Sequence, residues 1–102
     1  MDVWQVSLSG HLTEDELTTA LRPCPELAQF VVIDCTQMSG YDLDARHAFV
    51  AWNRRHPSIA RVAIVTTNRV WHMVVGAMAL ASGKKMRCFD SLHDAQGWLG
   101  EP

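Results

Sequence analysis

Features that mark whole classes of protein are missing from this sequence. No apolar run approaches the roughly 20 residues of a membrane-spanning helix, so we expect no membrane span. A formal net charge of -2 provides no broad basic field, which argues against nucleic-acid binding. The first residues contain no basic region followed by an apolar one, so no signal peptide is predicted. Together these absences predict a cytoplasmic protein.

Catalytic and metal-binding motifs are also missing. The histidines are scattered without HExxH spacing, and no GxSxG, GxGxxG or GxxxxGKS/T pattern follows a strand. We therefore predict no enzyme activity, no bound metal and no cofactor. Asp34, Asp42 and Asp44 cluster at one strand end and could hold a magnesium ion. The interpretation we favour is that Asp42 caps a helix and Asp44 lies in its first turn.

Cysteine is too sparse for a disulfide framework. The chain has three cysteines, Cys24, Cys35 and Cys88, an odd number without CxxC spacing. Cys35 and Cys88 fall at the ends of predicted strands, beside the core. We interpret all three as reduced, mostly buried, small apolar residues in a reducing compartment.

What the sequence does contain is an alternation of strands and helices within a single domain, residues 1–102. The apolar fraction of 48% and the charged fraction of 20% are typical of a folded domain. Phe30–Ile33 and Val62–Val65 are continuous apolar runs, as in strands buried on both faces. The element order β-α-β-α-β-α-β-α predicts a largely parallel sheet.

Local signals set the expected element boundaries. Val3–Ser9 alternates like a half-buried strand near an edge, and Gly10 is predicted to end it. The strand from Phe30 is predicted to end at Asp34, before a polar turn at Ser39–Gly40. Four helices are expected: one capped by Thr13, then Asp42–His56, Arg69 to about Ser82, and Leu92–Leu99. In the second of these, Ala45, Ala48, Phe49 and Trp52 form an apolar face, and Arg46, Asn53 and Arg54 are expected in water.

The third predicted helix has too little charge for an ordinary surface helix. Residues 70–83 contain no Asp, Glu, Lys or Arg, although a helix packed on one face of a sheet needs only one apolar stripe. Trp71, Val74, Val75 and Met78 are expected to face the core. The rest is either covered by neighbouring helices or forms an exposed seam for a partner, a twin subunit or an acyl ligand. The seam residues are Val70, Met73, Ala77 and Leu80.

Four segments resemble, in order and spacing, the STAS domain of bacterial anti-sigma-factor antagonists and the wider SpoIIAA-like group. They are SLSGHLTEDELTTAL, FVVIDCTQMSGYDLDARHAF, RVAIVTTNRVWHMV and MRCFDSLHDAQGWL. The resemblance covers nearly the whole chain. It implies an α/β fold with a four- to five-stranded, mixed but mostly parallel sheet and about four helices packed largely on one face. It also implies a non-catalytic regulatory module that binds a protein partner, kinase-like or anti-sigma-like, through the central loop and helix.

This chain departs from that pattern at the helix start. The antagonists carry a phosphorylated serine directly after an aspartate; here Asp42 matches the aspartate, but Leu43 follows it. Ser39 or Thr36 could substitute. Only one strand precedes Gly10, which exposes a sheet edge and favours a homodimer. The resemblance and this helix start together imply partner binding through Ser39, Tyr41, Asp42, Leu43, Asp44 and Arg46.

A second hypothesis places a small apolar or lipid-like ligand in a pocket between the helices. Some members of the SpoIIAA-like group are related to lipid-binding folds of the SEC14 type. The large apolar side chains of the second and third helices would line such a pocket. The predicted lining is Trp52, Trp71, Val75 and Met78.

Overall fold

The computed structural model describes residues 3–101 and alternates strands with helices throughout. The strands are β1 (Val3–Leu12), β2 (Phe30–Tyr41), β3 (Arg61–Val65) and β4 (Lys85–Phe89). The helices are α1 (Glu14–Leu21), α2 (Leu43–Arg54), α3 (Arg69–Ser82) and α4 (Leu92–Leu99). The predicted order of elements is therefore confirmed.

The strands form one sheet in the order β1-β2-β3-β4, and every neighbouring pair is parallel. Because each crossover advances one strand in the same direction with the usual right hand, α1, α2 and α3 are brought to one face. Their apolar side chains pack there on Val31, Ile33, Val62 and Ile64. The fourth helix follows the last strand and covers the opposite face, where Trp98 and Leu99 pack on Val32, Ala63 and Val65. The prediction of helices largely on one face is confirmed, and the sheet is purely parallel.

The predicted ends of the first two strands are wrong. Gly10 does not end β1, and the expected turn at Ser39–Gly40 is part of β2, which pairs with β1 as far as Leu12 opposite Tyr41. Two register shifts interrupt this ladder, and Gly10 has a φ of 70°, a conformation that glycine adopts without strain. The polar residues remain in the strand because the cross-strand backbone hydrogen bonds require no apolar side chain.

The helix caps follow the local sequence signals closely. The Thr13 hydroxyl accepts a hydrogen bond from the Glu16 N–H at 3.2 Å, and Asn68 and Ser91 cap α3 and α4 in the same way. Gly83 ends α3 in the left-handed conformation with a φ of 71°. The prediction that Asn53 is solvated is wrong, because this side chain is fully buried and its Nδ2 donates to the Phe49 carbonyl at 2.9 Å.

Candidate functional site

The carboxyl ends of the strands carry the loop-and-helix segment singled out by its sequence, residues 39–46. Asp42 occupies the N-cap position of α2, but its side chain makes no capping hydrogen bond. Its Oδ1 lies 2.7 Å from Nε2 of His11 on β1. The expectation that the Asp42 carboxylate caps the helix is therefore wrong, because the extended β1–β2 ladder places an imidazole beside it.

Most of this segment is open to solvent. Leu43 exposes 59% of its surface at the first position of α2. Ser39, Asp42 and Asp44 are exposed around it, whereas Tyr41 and Arg46 are half-buried. The segment therefore presents one apolar side chain flanked by two carboxylates.

An aromatic contact joins this segment to α3. The Tyr41 ring packs edge-on against Trp71, with 5.7 Å between ring centroids. Because α2 and α3 both begin at the carboxyl edge of the sheet, their first turns lie at the same end of the domain. At the start of α3, Arg69 pairs with Asp90 at 3.2 Å, so the positive charge of Arg69 is offset by the Asp90 carboxylate.

The outward face of α3 is apolar and uncovered. Val70 exposes 66% of its surface, Met73 79% and Leu80 89%, and Ala77 is also exposed. Neighbouring helices therefore do not cover these positions. With a rise of 1.5 Å per residue, Val70 and Leu80 are about 15 Å apart along the axis, so Val70 and Met73 lie nearer than Leu80 to the carboxyl edge of the sheet, where α2 also begins. We call residues 39–46 together with Val70 and Met73 the carboxyl-end face.

A cavity of about 80 Å³ lies beneath this face, between the sheet and the three helices that cover it. Trp71, Val75 and Met78 line it, as the pocket hypothesis expected. Trp52 does not; it packs in the core between Phe49 and His56, with ring centroids 6.0 and 4.6 Å away. Residues from α1, α2, β1, β2 and β3 complete the lining, among them Leu8, Leu12, Leu17, Ile33 and Met38.

Some of these features could not be found from local sequence. His11 is 31 residues away from Asp42, and only the β1–β2 register brings them together. Leu8, Leu12 and Leu17 look like ordinary core residues, and no sequence signal distinguishes a cavity wall from filled core. Arg46 was predicted to be solvated, but its side chain is half-buried and forms part of the cavity wall.

A comparison with protein-family models matches residues 3–100 to the SpoIIAA-like family. The chain belongs to that family. A solved structure of a DUF3478-family protein with a SpoIIAA-like fold, from Shewanella loihica PV-4, matches with a TM-score of 0.70 and 20% sequence identity. The match covers 93% of this chain and 82% of that one, and at this identity it shows the fold alone. No curated protein matches.

SpoIIAA-like proteins are generally non-enzymatic regulators that interact with other proteins. In this SpoIIAA-like chain the position after Asp42 has no hydroxyl group. Ser39 is exposed nearby, whereas the Thr36 hydroxyl donates to Asp34 Oδ1 at 2.7 Å. A phosphoryl group at the helix start would therefore need a different acceptor from the antagonists' serine.

The cysteines of this SpoIIAA-like domain are poor nucleophiles. All three are free thiols. Burial, reinforced by Asp34 and Cys88, raises the pKa of Cys35 to about 12. Burial and Asp90 raise the pKa of Cys88 to about 11, and burial also raises the pKa of Cys24. Because the thiolate is the reactive form, these thiols are almost entirely in the unreactive protonated form at neutral pH.

Within residues 3–101, no three His, Cys, Asp or Glu side chains are grouped so that they could hold a metal ion. None of the helices described there has the length and apolar character needed to cross a membrane.

Proposed function

We propose that this SpoIIAA-like domain is a non-catalytic regulatory module that binds a protein partner through its carboxyl-end face. The observation that supports this most strongly is the exposure of Leu43 beside Tyr41, which packs on Trp71 and so makes the starts of α2 and α3 one surface. Four of the six large apolar side chains exposed within residues 3–101 lie on α2 or α3. Exposed apolar side chains concentrated in one region favour a binding surface.

The size of this surface suits a regulated, reversible complex. If a partner buried the exposed parts of Leu43, Val70 and Met73, the hydrophobic effect would contribute roughly 3–6 kcal/mol. The cost of association, roughly 4–15 kcal/mol, is as large as this gain or larger. Polar contacts around the apolar centre are therefore needed. Asp42 and Asp44 favour a partner with basic residues at the rim of its own apolar site.

Partner binding by this chain is controlled differently from partner binding by the anti-sigma-factor antagonists. Leu43 cannot be phosphorylated, so we propose that no phosphoryl switch acts at the first position of α2. The partner is of the kinase-like or anti-sigma-like type that the family resemblance implies. Three free thiols favour a reducing compartment, and we propose the cytoplasm.

Affinity capture from the source organism tests this proposal. The bait is the whole chain, compared with Leu43→Lys and with Leu27→Lys. Leu27 is a matched control because it exposes 80% of its surface in the loop before β2, at the opposite end of the sheet. We expect Leu43→Lys to lose a protein that Leu27→Lys retains. Equal capture by both variants would show that the loop and the start of α2 are not part of the interface.

The distal half of the α3 seam provides a further surface for a second copy of the chain. Ala77 and Leu80 are exposed and uncharged, and β1 and β4 are both sheet edges. If two copies pair through this seam, light scattering should detect twice the monomer mass, and Leu80→Lys should reduce the mass to that of the monomer. A wild-type chain that stays monomeric at high concentration would contradict the homodimer.

The cavity supports a second candidate function, the binding of a small apolar or lipid-like ligand. Native interiors contain few voids larger than a water molecule, and a cavity of about 80 Å³ in so small a domain is unusual. Native mass spectrometry of freshly purified protein is expected to show a co-purifying ligand. Its absence would count against this candidate.

A further inference from the structure

The cavity beneath the carboxyl-end face is bounded by apolar atoms alone. Its lining consists of aliphatic, aromatic and sulfur-containing side chains together with Arg46, and no nitrogen or oxygen atom contributes to its surface. Arg46 therefore lines the cavity only with the aliphatic part of its side chain, and Tyr41 and Trp71 line it only with ring carbon atoms. A molecule inside the cavity would find no strong hydrogen-bond donor or acceptor.

This lining determines the polarity of the ligand. A hydroxyl or amide group that leaves water without gaining a new hydrogen bond loses free energy, and an isolated carboxylate loses far more. A charged or strongly polar ligand would therefore bind less tightly than a neutral, apolar one of the same size. The cavity favours a hydrocarbon-like molecule without a polar head group.

The cavity volume determines the size of the ligand. A wholly apolar cavity of about 150 Å³ in another protein binds benzene. At about 80 Å³, this cavity is roughly half that size. By the same measure it has room for roughly three or four carbon atoms. A lipid tail does not fit without rearrangement of the core.

A ligand can reach the cavity through a single layer of side chains. Met38, Tyr41, Trp71 and Val74 line the cavity and are also partly exposed, so one residue separates it from solvent at each of these positions. Met38 has an unbranched, adaptable side chain, which can move aside without displacing a helix or a strand. Entry therefore requires no unfolding of the domain.

We propose that the cavity binds a small neutral molecule of roughly three or four carbon atoms that has no hydrogen-bonding group. This inference rests on the second candidate function, the apolar ligand pocket, and narrows it. The cavity volume excludes lipids and long acyl chains, and the apolar lining excludes short carboxylates. The bound molecule is held by dispersion contacts with the lining and by the removal of its apolar surface from water.

The test is a titration of the full chain followed by methyl NMR, using cyclopropane, cyclopropanecarboxylate and benzene. We expect cyclopropane to produce saturable shifts of the methyl signals of Ile64, Val75 and Met78, which line the cavity. The carboxylate should bind at least about tenfold more weakly because it gains no hydrogen bond there. Benzene should also bind at least about tenfold more weakly because it exceeds the cavity.

Two matched variants locate the binding site. Val75→Ile places one more carbon atom in the cavity and should weaken cyclopropane binding by about tenfold or more. Val50→Ile adds the same group on α2, at a half-buried position that does not line the cavity, and should leave binding unchanged. Equal binding by the wild-type chain and Val75→Ile would place cyclopropane elsewhere and overturn the inference.

The remaining outcomes separate the parts of the inference. If the carboxylate binds as tightly as cyclopropane, the requirement for a neutral ligand is wrong and the apolar pocket still stands. If benzene binds more tightly, the size limit is wrong. If none of the three binds, both the inference and the pocket are overturned. The proposed partner-binding surface is independent of all these results, because the capture experiment with Leu43→Lys tests it separately.

Discussion

Filling the cavity with one methylene group should stabilise the domain, and Val75→Ile is the substitution that does so. Val75 is buried, lines the cavity, and keeps its β-branched shape in isoleucine. Adding one buried methylene contributes about 0.8 kcal/mol. A group close in size to a water molecule, about 30 Å³, also removes roughly 0.7 kcal/mol of cavity cost at 24 cal/mol per Å³. After some strain, we expect a net gain of about 1 kcal/mol in the free energy of unfolding.

The matched control is the same substitution where there is no void. Val62 is fully buried in β3 and does not line the cavity, so Val62→Ile should cost about 1–3 kcal/mol through overpacking. Urea unfolding at equilibrium measures both, and an unchanged m value shows that the unfolded states are comparable. A loss of stability in Val75→Ile equal to that in Val62→Ile would refute the cavity as an accessible void.

Two other predictions concern buried groups. Burial raises the pKa of the Cys35 thiol from 9.0 to about 12, so the contribution of Cys35 to stability is constant below about pH 9 and falls above it by about 1.4 kcal/mol per pH unit. Urea titrations from pH 8 to 10.5 should show a shallower fall for Cys35→Ala, and an equal slope would contradict the buried thiol. Asn53 is fully buried and its Oδ1 atom has no hydrogen-bond partner, so Asn53→Leu should change the midpoint of thermal unfolding little, whereas Asn53→Asp should lower it strongly. Similar midpoints for the two variants would disprove this burial.

Local signals predicted the elements that depend on local interactions. The caps at Thr13, Asn68 and Ser91 and the glycine after α3 set helix boundaries because they satisfy backbone groups within one turn. The missing charge on α3 left two interpretations open, a face covered by neighbouring helices or an exposed apolar seam, and the exposure of Met73 and Leu80 decides for the second. Those positions are exposed, and their role in binding stays a prediction.

Features that depend on pairing between distant segments could not be predicted. Gly10 and Gly40 look like strand breakers in isolation, but the β1–β2 ladder continues past both because each strand supplies the other's hydrogen bonds. Asn53 lies four residues after Phe49, on the buried side of α2. The prediction placed it in water because its side chain is polar, although its position in the helix favours burial. The cavity is lined by residues from three helices and three strands at once, so no single segment of the sequence predicts it.

The central claim is that the starts of α2 and α3 form one binding surface, and calorimetry with a captured partner tests it most directly. Leu43→Ala and Met73→Ala should each weaken the complex by about 1–2 kcal/mol, a roughly five- to thirtyfold rise in Kd, because each removes an apolar side chain from the same footprint. Leu27→Ala should leave the Kd unchanged. If Leu43→Ala weakens the complex and Met73→Ala has no effect, or the reverse, the two helices do not share one surface and the account is contradicted.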